Sequence, residues 1–245
     1  MNDSQKREIA FYRQALLREF ASLKAIRRYD ELVARSLRLA DDRGYLLCVS
    51  ELFAEDDHAI EILSRFRAGV TTFPGTFRVT HSGTKRWLRA GLLDVPDRIL
   101  FFVLDRAGRT VGHLGFAHAD NPERQMELDN VIRGVPDVEP GLMSAATERL
   151  ISWAVTSFSP ASVHLRVLDG NEHAIRFYTR LGFVPNGCEP LRRVESNGEV
   201  RFTAVPAGDE APADACYLRM RAARSGRPES AQPASVPIEL QRRSA

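Results

Sequence analysis

Lysine is nearly missing from this chain: Lys6, Lys24 and Lys85 are the only three among 34 basic residues, so arginine carries the positive charge. That skew is the mark of a GC-rich, bacterial-type coding sequence, with guanidinium recognition of phosphate as the alternative reading. An excess of one charge is also lacking, since 34 bases face 32 acids for a net charge of +2. So even a balance makes no case for a nucleic-acid surface. Cysteine is sparse, and Cys48, Cys188 and Cys216 are odd in number with no metal-ligand spacing, so no metal is implied and a reduced cytoplasm fits best. No apolar run approaches the roughly 20 residues of a membrane span. The first thirty residues, dense in Arg, Glu and Lys, exclude an apolar signal core.

What is present suits a single domain with decorations, because 245 residues at 44% hydrophobic can fill one sizeable core. Residues 1–42 read as an N-terminal helical extension in two pieces. Ile9, Tyr12, Leu16, Phe20 and Leu23 recur at three- and four-residue steps in the first, and Leu32, Val33, Leu37 and Leu39 build the second. A helix packed back on the domain is the plain reading and a homodimer contact the sharper one. GYLLCVSEL (44–52) reads as a strand, and Asp56 and Asp57 precede a helical pattern through Ile60, Leu63 and Phe66. The punctuated run TTFPGTFRVTHSGT leads to a helix around Trp87, Leu88 and Leu92. RILFFVLD and TVGHLGFAHA then form an antiparallel hairpin.

Met126 to Phe183 is the centre of the chain, a βαβα run. QMELDNVIRG alternates as a strand, and PGLMSAATERLISWAVTSF carries Leu142, Met143, Ala146, Leu150, Trp153 and Ala154 along one side. SVHLRVLDGN is the next strand, and EHAIRFYTRLGF a helix ended by Gly182, a residue suited to a left-handed cap. Beyond it, Asn197-Gly198 marks a hairpin turn, ACYLRMRA (215–222) a last strand, and 224–245 a disordered tail rich in Ser, Pro and charge.

Chemistry concentrates in this central unit. Pro140 suits a first helical turn, Gly141 has no side chain, and the N–H groups of Leu142, Met143 and Ser144 are helix-start donors that form an anion site. Asn171 caps the following helix, and Tyr178 lies two turns along it. Glu127 and Asp129 alternate on one face of their strand, with Asn130 on the other. His113 and His118 on the preceding strand are candidate substrate contacts, although lone histidines of this kind are more often bystanders.

The run DGNEHAIRFYTRLGF places Asn171, Ala174, Tyr178, Gly182 and Phe183 in a pattern that resembles the N-x-x-A-x-x-x-Y-x-x-x-G-F signature of the GNAT superfamily, the Gcn5-related N-acetyltransferases. The loop before it is similar to that family's pyrophosphate loop. The resemblance covers most of the chain, from about Gly44 to Ala222, and implies an α/β (α+β) fold with a mixed, largely antiparallel central sheet flanked by helices. It assigns 43–223 to an acetyltransferase domain. In the family loop, R/Q-x-x-G-x-G/A, Gly141 matches, but Val138 replaces the Arg or Gln and Met143 the second small residue; Arg133 upstream is a candidate to compensate.

The resemblance implies acetyl-CoA as co-substrate, with no metal. Asn130, Val131, Ile132, Arg133 and Gly134 would meet the pantetheine arm, Gly141, Leu142, Met143 and Ser144 the diphosphate, and Asn171, Ala174 and Tyr178 the far wall. Tyr178 would protonate the leaving thiolate, and Glu127 or Asp129 would take the proton of the amine. The leading expectation is N-acetylation of a small-molecule amine, with a fainter likeness to enzymes that acetylate amino sugars on nucleotide carriers, for which Arg78, Arg86 and Arg89 would suit a diphosphate. The alternatives are acetylation of a protein or peptide N-terminus and a CoA-binding regulatory module without turnover.

Overall fold

In the computed structural model, Asp3–Lys24 (α1) is a single helix whose apolar stripe buries Tyr12, Leu16, Phe20 and Leu23. Asn2 starts it through a reciprocal capping box with Gln5. The structure describes residues 2–69, 75–76, 78–196, 199–206, 208–209 and 212–222. Further helices are Tyr29–Ala34 (α2), Asp57–Ala68 (α3), His81–Leu88 (α4, continued by a wider turn through Leu93), Leu142–Phe158 (α5) and Glu172–Arg180 (α6). The strands are Leu37–Arg38 (β1), Gly44–Cys48 (β2), Gly75–Thr76 (β3), Ile99–Asp105 (β4), Thr110–Ala117 (β5), Gln125–Arg133 (β6), Ser162–Leu168 (β7), Phe183–Ser196 (β8), Glu199–Ala204 (β9) and Ala215–Ala222 (β10).

These strands form one sheet in the order β1-β2-β4-β5-β6-β7-β10-β8-β9-β3. Among the described residues only β6 and β7 pair in parallel, as the helical crossover α5 between them requires. The mixed, largely antiparallel sheet with flanking helices agrees with the sequence reading. Alternation along β5 assigns the helices to faces. A Cβ on Gly112 would point at Met143 of α5, whereas the next residue, His113, meets the ring of Phe66 in α3. Helix α5, with α1 packed outside it, therefore covers one face and α3 the other.

The core on the α5 face is aromatic. Phe20 of α1 stacks on Trp153 at 6.2 Å and meets Phe158 edge-on at 5.8 Å, while Trp153 also meets Phe101 of β4 at 5.4 Å. Tyr12 donates its hydroxyl to the Ala119 carbonyl at 2.8 Å, which ties α1 to the end of β5. The stripe on α1 is thus spent against its own domain.

Several boundaries differ from the sequence reading. Leu37 and Leu39 do not continue the second helix; α2 stops at Ala34, and Leu37 enters β1 opposite Leu46. β2 ends at Cys48 rather than Leu52, because Ser50 opens a short helical turn by accepting from the Leu52 N–H. Cys188 and Cys216, for which the sequence suggested a reduced setting, are joined by a disulfide with Cα atoms 5.9 Å apart. The pairing of β8 with β10 brings together two residues 28 apart in sequence, a register no spacing rule reveals. Cys48 is free and buried. The Asn197-Gly198 turn, the 224–245 tail and Thr71, Thr72, Phe73, Pro74 and Phe77 of the punctuated run lie outside the described residues. No helix among the described residues is long and apolar enough to cross a membrane.

Truncating Phe20 removes the ring shared by Trp153 and Phe158. Phe20→Ala should lower the unfolding free energy by about 3–5 kcal/mol in urea melts, whereas truncating Phe11, 74% exposed on the same helix, should change it by no more than about 0.5 kcal/mol.

Candidate functional site

β6 contains a bulge at the centre of the sheet. His113 stands opposite Ile132 and Gly115 opposite Asp129, so β6 carries one residue more than β5 over this interval. The extra residue is absorbed at Asn130, whose φ is +53°. A non-glycine residue there is strained by about 1–3 kcal/mol and needs support from its surroundings. His113 supplies it by donating Nδ1–H to the Asn130 carbonyl at 2.8 Å; a carbonyl only accepts, which sets the tautomer.

The bulge divides β6 into two halves. Parallel pairing with β7 runs through Gln125, Met126 and Glu127 and ends at Glu127 opposite His164. Beyond it β6 continues to Arg133 with no parallel partner, and the two strands fork. A cavity of about 610 Å³ opens at the fork. The strand wall is Val131, Ile132 and Arg133; the loop wall is Val138 to Gly141 with Met143 and Ser144; the α6 wall is Asn171, His173, Ala174, Phe177, Tyr178 and Arg180.

Helix α5 points its first turn at this cavity. Gly141 is its N-cap with φ +80°, a left-handed conformation that glycine adopts without strain. No side chain caps α5, and Leu142 N–H bonds to the Glu139 carbonyl at 3.1 Å, so the donors facing the cavity are those of Met143 and Ser144. Backbone donors at a helix start with no acid in the first turn fit a diphosphate.

On α6, Asn171 Oδ1 accepts from Ala174 N–H at 3.1 Å, and Gly182 at φ +82° ends the segment, as the sequence pattern predicts. Tyr178 rests against Phe177 and Phe183. Burial, and after it the charge of Asp129, pushes its phenol well above its ordinary range, so it keeps its proton at neutral pH.

The two strand acids have different surroundings. Glu127 is 8% exposed and accepts from Arg166 Nε at 2.9 Å, with His164 Nε2 at 3.9 Å. Asp129 is half-buried, pairs with Arg98 and accepts from its neighbour Asn130 Nδ2 at 2.6 Å. Its field reaches Tyr178.

Of the residues singled out from sequence, the cavity gathers Val131, Ile132, Arg133, Gly141, Met143, Ser144, Asn171, Ala174 and Tyr178. Others are placed elsewhere. Leu142 is fully buried in the core and its N–H is occupied. Gly134 lies against the Phe66 ring. Asn130 does not stand on the opposite face from Asp129, because the bulge turns its amide back onto that carboxylate. His113 is a fully buried support of the bulge rather than an open substrate contact, and its Nε2 has no partner among the described residues. His118 is exposed beyond the far end of β5, away from the fork. Arg86 and Arg78 are exposed, and Arg89 is committed to Glu51. The sequence reading missed Arg98 and Arg166, whose pairing with strand acids depends on which strands are neighbours.

Burial lowers His113 to a pKa of about 4 from 6.5. Between those values the unfolded chain binds the proton and the folded chain does not, so stability declines as pH falls from 6.5 to 4. The loss should reach about 3 kcal/mol at the acid end. Urea melts at pH 7 and pH 4.5 measure it, and His113→Gln should remove that part of the difference.

The acetyltransferase (GNAT) domain family matches residues 47–184. No curated protein matches the chain. Among solved structures, a probable acetyltransferase (GNAT family) from Chromobacterium violaceum superposes with a TM-score of 0.57 at 16% identity, covering 76% of this chain and 84% of that one. The spermidine/spermine N-acetyltransferase SpeG from Vibrio cholerae, in complex with manganese ions, superposes with a TM-score of 0.50 at 14% identity, covering 73% of this chain and 91% of that one. At these identities the likeness is one of fold. Because the family match spans more than half of the residues, the chain belongs to the GNAT acetyltransferases and is an acyl-CoA-dependent N-acetyltransferase.

Proposed function

We infer that the chain moves an acetyl group from acetyl-CoA to the primary amine of a small molecule, and the fork between β6 and β7 carries this reading. Its strand wall is long enough to take an extended arm, its loop wall ends on helix-start donors, and its α6 wall brings Tyr178 to the bulge side. In this reading Met143 and Ser144 donate N–H groups to the diphosphate beside Gly141. The backbone of Val131 to Arg133 pairs with the pantetheine arm. When bound, acetyl-CoA supplies the acetyl group as a thioester.

The remaining work falls to side chains. The attacking amine must be neutral, so a base takes its proton. We assign that base to Asp129 rather than Glu127, because Glu127 is buried against Arg166, whereas Asp129 is more open and acts on the Tyr178 hydroxyl. Arg98 holds the Asp129 carboxylate in place. Tyr178, still protonated at neutral pH, gives its proton to the departing sulfur.

For the acceptor we favour an amine that also bears an anionic group, as an amino sugar on a nucleotide carrier does. Arg67 lies over the Trp87 ring at 4.3 Å and Arg98 at 5.8 Å from it, beside Asp129. Burial, and after it the charge of Arg98, lowers the pKa of Arg67. The guanidinium groups at the Trp87 ring, Arg67 and Arg98, support this reading, whereas Arg89 lies with Glu51.

Two measurements test the reading. Tyr178→Phe and Asp129→Asn should each reduce kcat about 10²-fold with the KM for acetyl-CoA little changed, the scale of one lost acid or base; Glu127→Gln should retain kcat within about threefold. A rate loss confined to Glu127→Gln would reverse the assignment. Release of free CoA thiol should be faster with amino-sugar nucleotides than with spermidine or peptides; turnover of spermidine alone would refute the anionic acceptor.

A further inference from the structure

We propose that Arg43, which lies before the stretch matched by the family, is the positioning residue of the diphosphate loop and takes over the part left open by Val138. The inference rests on the reading of the fork as the acetyl-CoA site. Arg43 Nε bonds Glu139 Oε1 at 2.9 Å, and its Nη2 bonds the Pro140 carbonyl. Both Nη atoms lie 3.4 Å from where a Cβ on Gly141 would stand. One guanidinium thus bonds two consecutive residues of the loop that opens α5 and lies against the third.

The segment that presents Arg43 is itself firmly held. Asp41 and Asp42 sit at φ +56° and +52°, a turn that reverses the chain just before β2. Arg38 pairs with Asp42, and Arg149 of α5 donates to the Arg38 carbonyl at 3.0 Å, so the turn is fastened to the same helix whose start it serves.

The chemistry explains why a cation is needed there. Glu139 lines the cavity, and an unpaired carboxylate beside the donors of Met143 and Ser144 would repel a diphosphate. Arg43 neutralises it and occupies the carbonyl of Pro140. Val138, apolar and packed against the core, does neither.

The test is calorimetric titration of the full chain with CoA and with pantetheine, which has the arm but no diphosphate. Arg43→Met should raise the Kd for CoA about tenfold, the scale of one charge-assisted hydrogen bond, and leave that for pantetheine unchanged. Adding Glu139→Gln to Arg43→Met should restore most of the loss, and Arg43→Lys should restore only part. Should Arg43→Met not fold, Arg43→Lys carries the test and should raise the Kd for CoA by less than about tenfold while leaving that for pantetheine unchanged. Equal loss for both ligands, or no loss for CoA, would overturn the proposal; wild type that binds no CoA would instead refute the acetyl-CoA reading.

Discussion

One buried hydrogen bond, from His113 Nδ1 to the carbonyl of Asn130, is the constraint on which the site is built. A strained residue in mid-strand persists only where its neighbours outweigh the strain. Here the support comes from a histidine that cannot reach water and that Phe66 of α3 lies against. With Asn130 held, β6 shifts register against β5, parts from β7, and opens the fork that α5 and α6 close from either side.

Electrostatics then separates groups that the sequence presents as equals. Glu127 and Asp129 have the same chemistry and the same strand parity, yet one is sealed against Arg166 and the other stands half-open beside Arg98. The difference comes from the neighbouring strands. β7 turns both His164, its last residue matched with β6, and Arg166, two residues further on, toward Glu127, and Asp129 is met instead by Arg98. Asp129, two residues beyond the last pair with β7, is the more open of the two carboxylates.

Much of the fold was legible along the chain, because local chemistry encodes it. Asn171 as a cap, Gly182 as a left-handed stop and the three- and four-residue stripe on α1 each depend on residues within one or two turns of one another. Leu142 shows where that legibility ends: its position at a helix start is local, but whether its N–H faces the cavity or the Glu139 carbonyl depends on how the preceding loop turns. His113 shows the same for burial, and Cys188 with Cys216 for pairing.

By itself, then, the sequence determined the order of elements, the helix starts and stops, and the Asn171-to-Phe183 pattern that marks the family, since these follow from periodicity and capping over short spans. Only the tertiary structure decided which donors line the fork, which acid is sealed, and that Arg43 reaches a loop 96 residues away. Those outcomes are set by strand order and register, which bring distant residues together and leave no trace in local spacing.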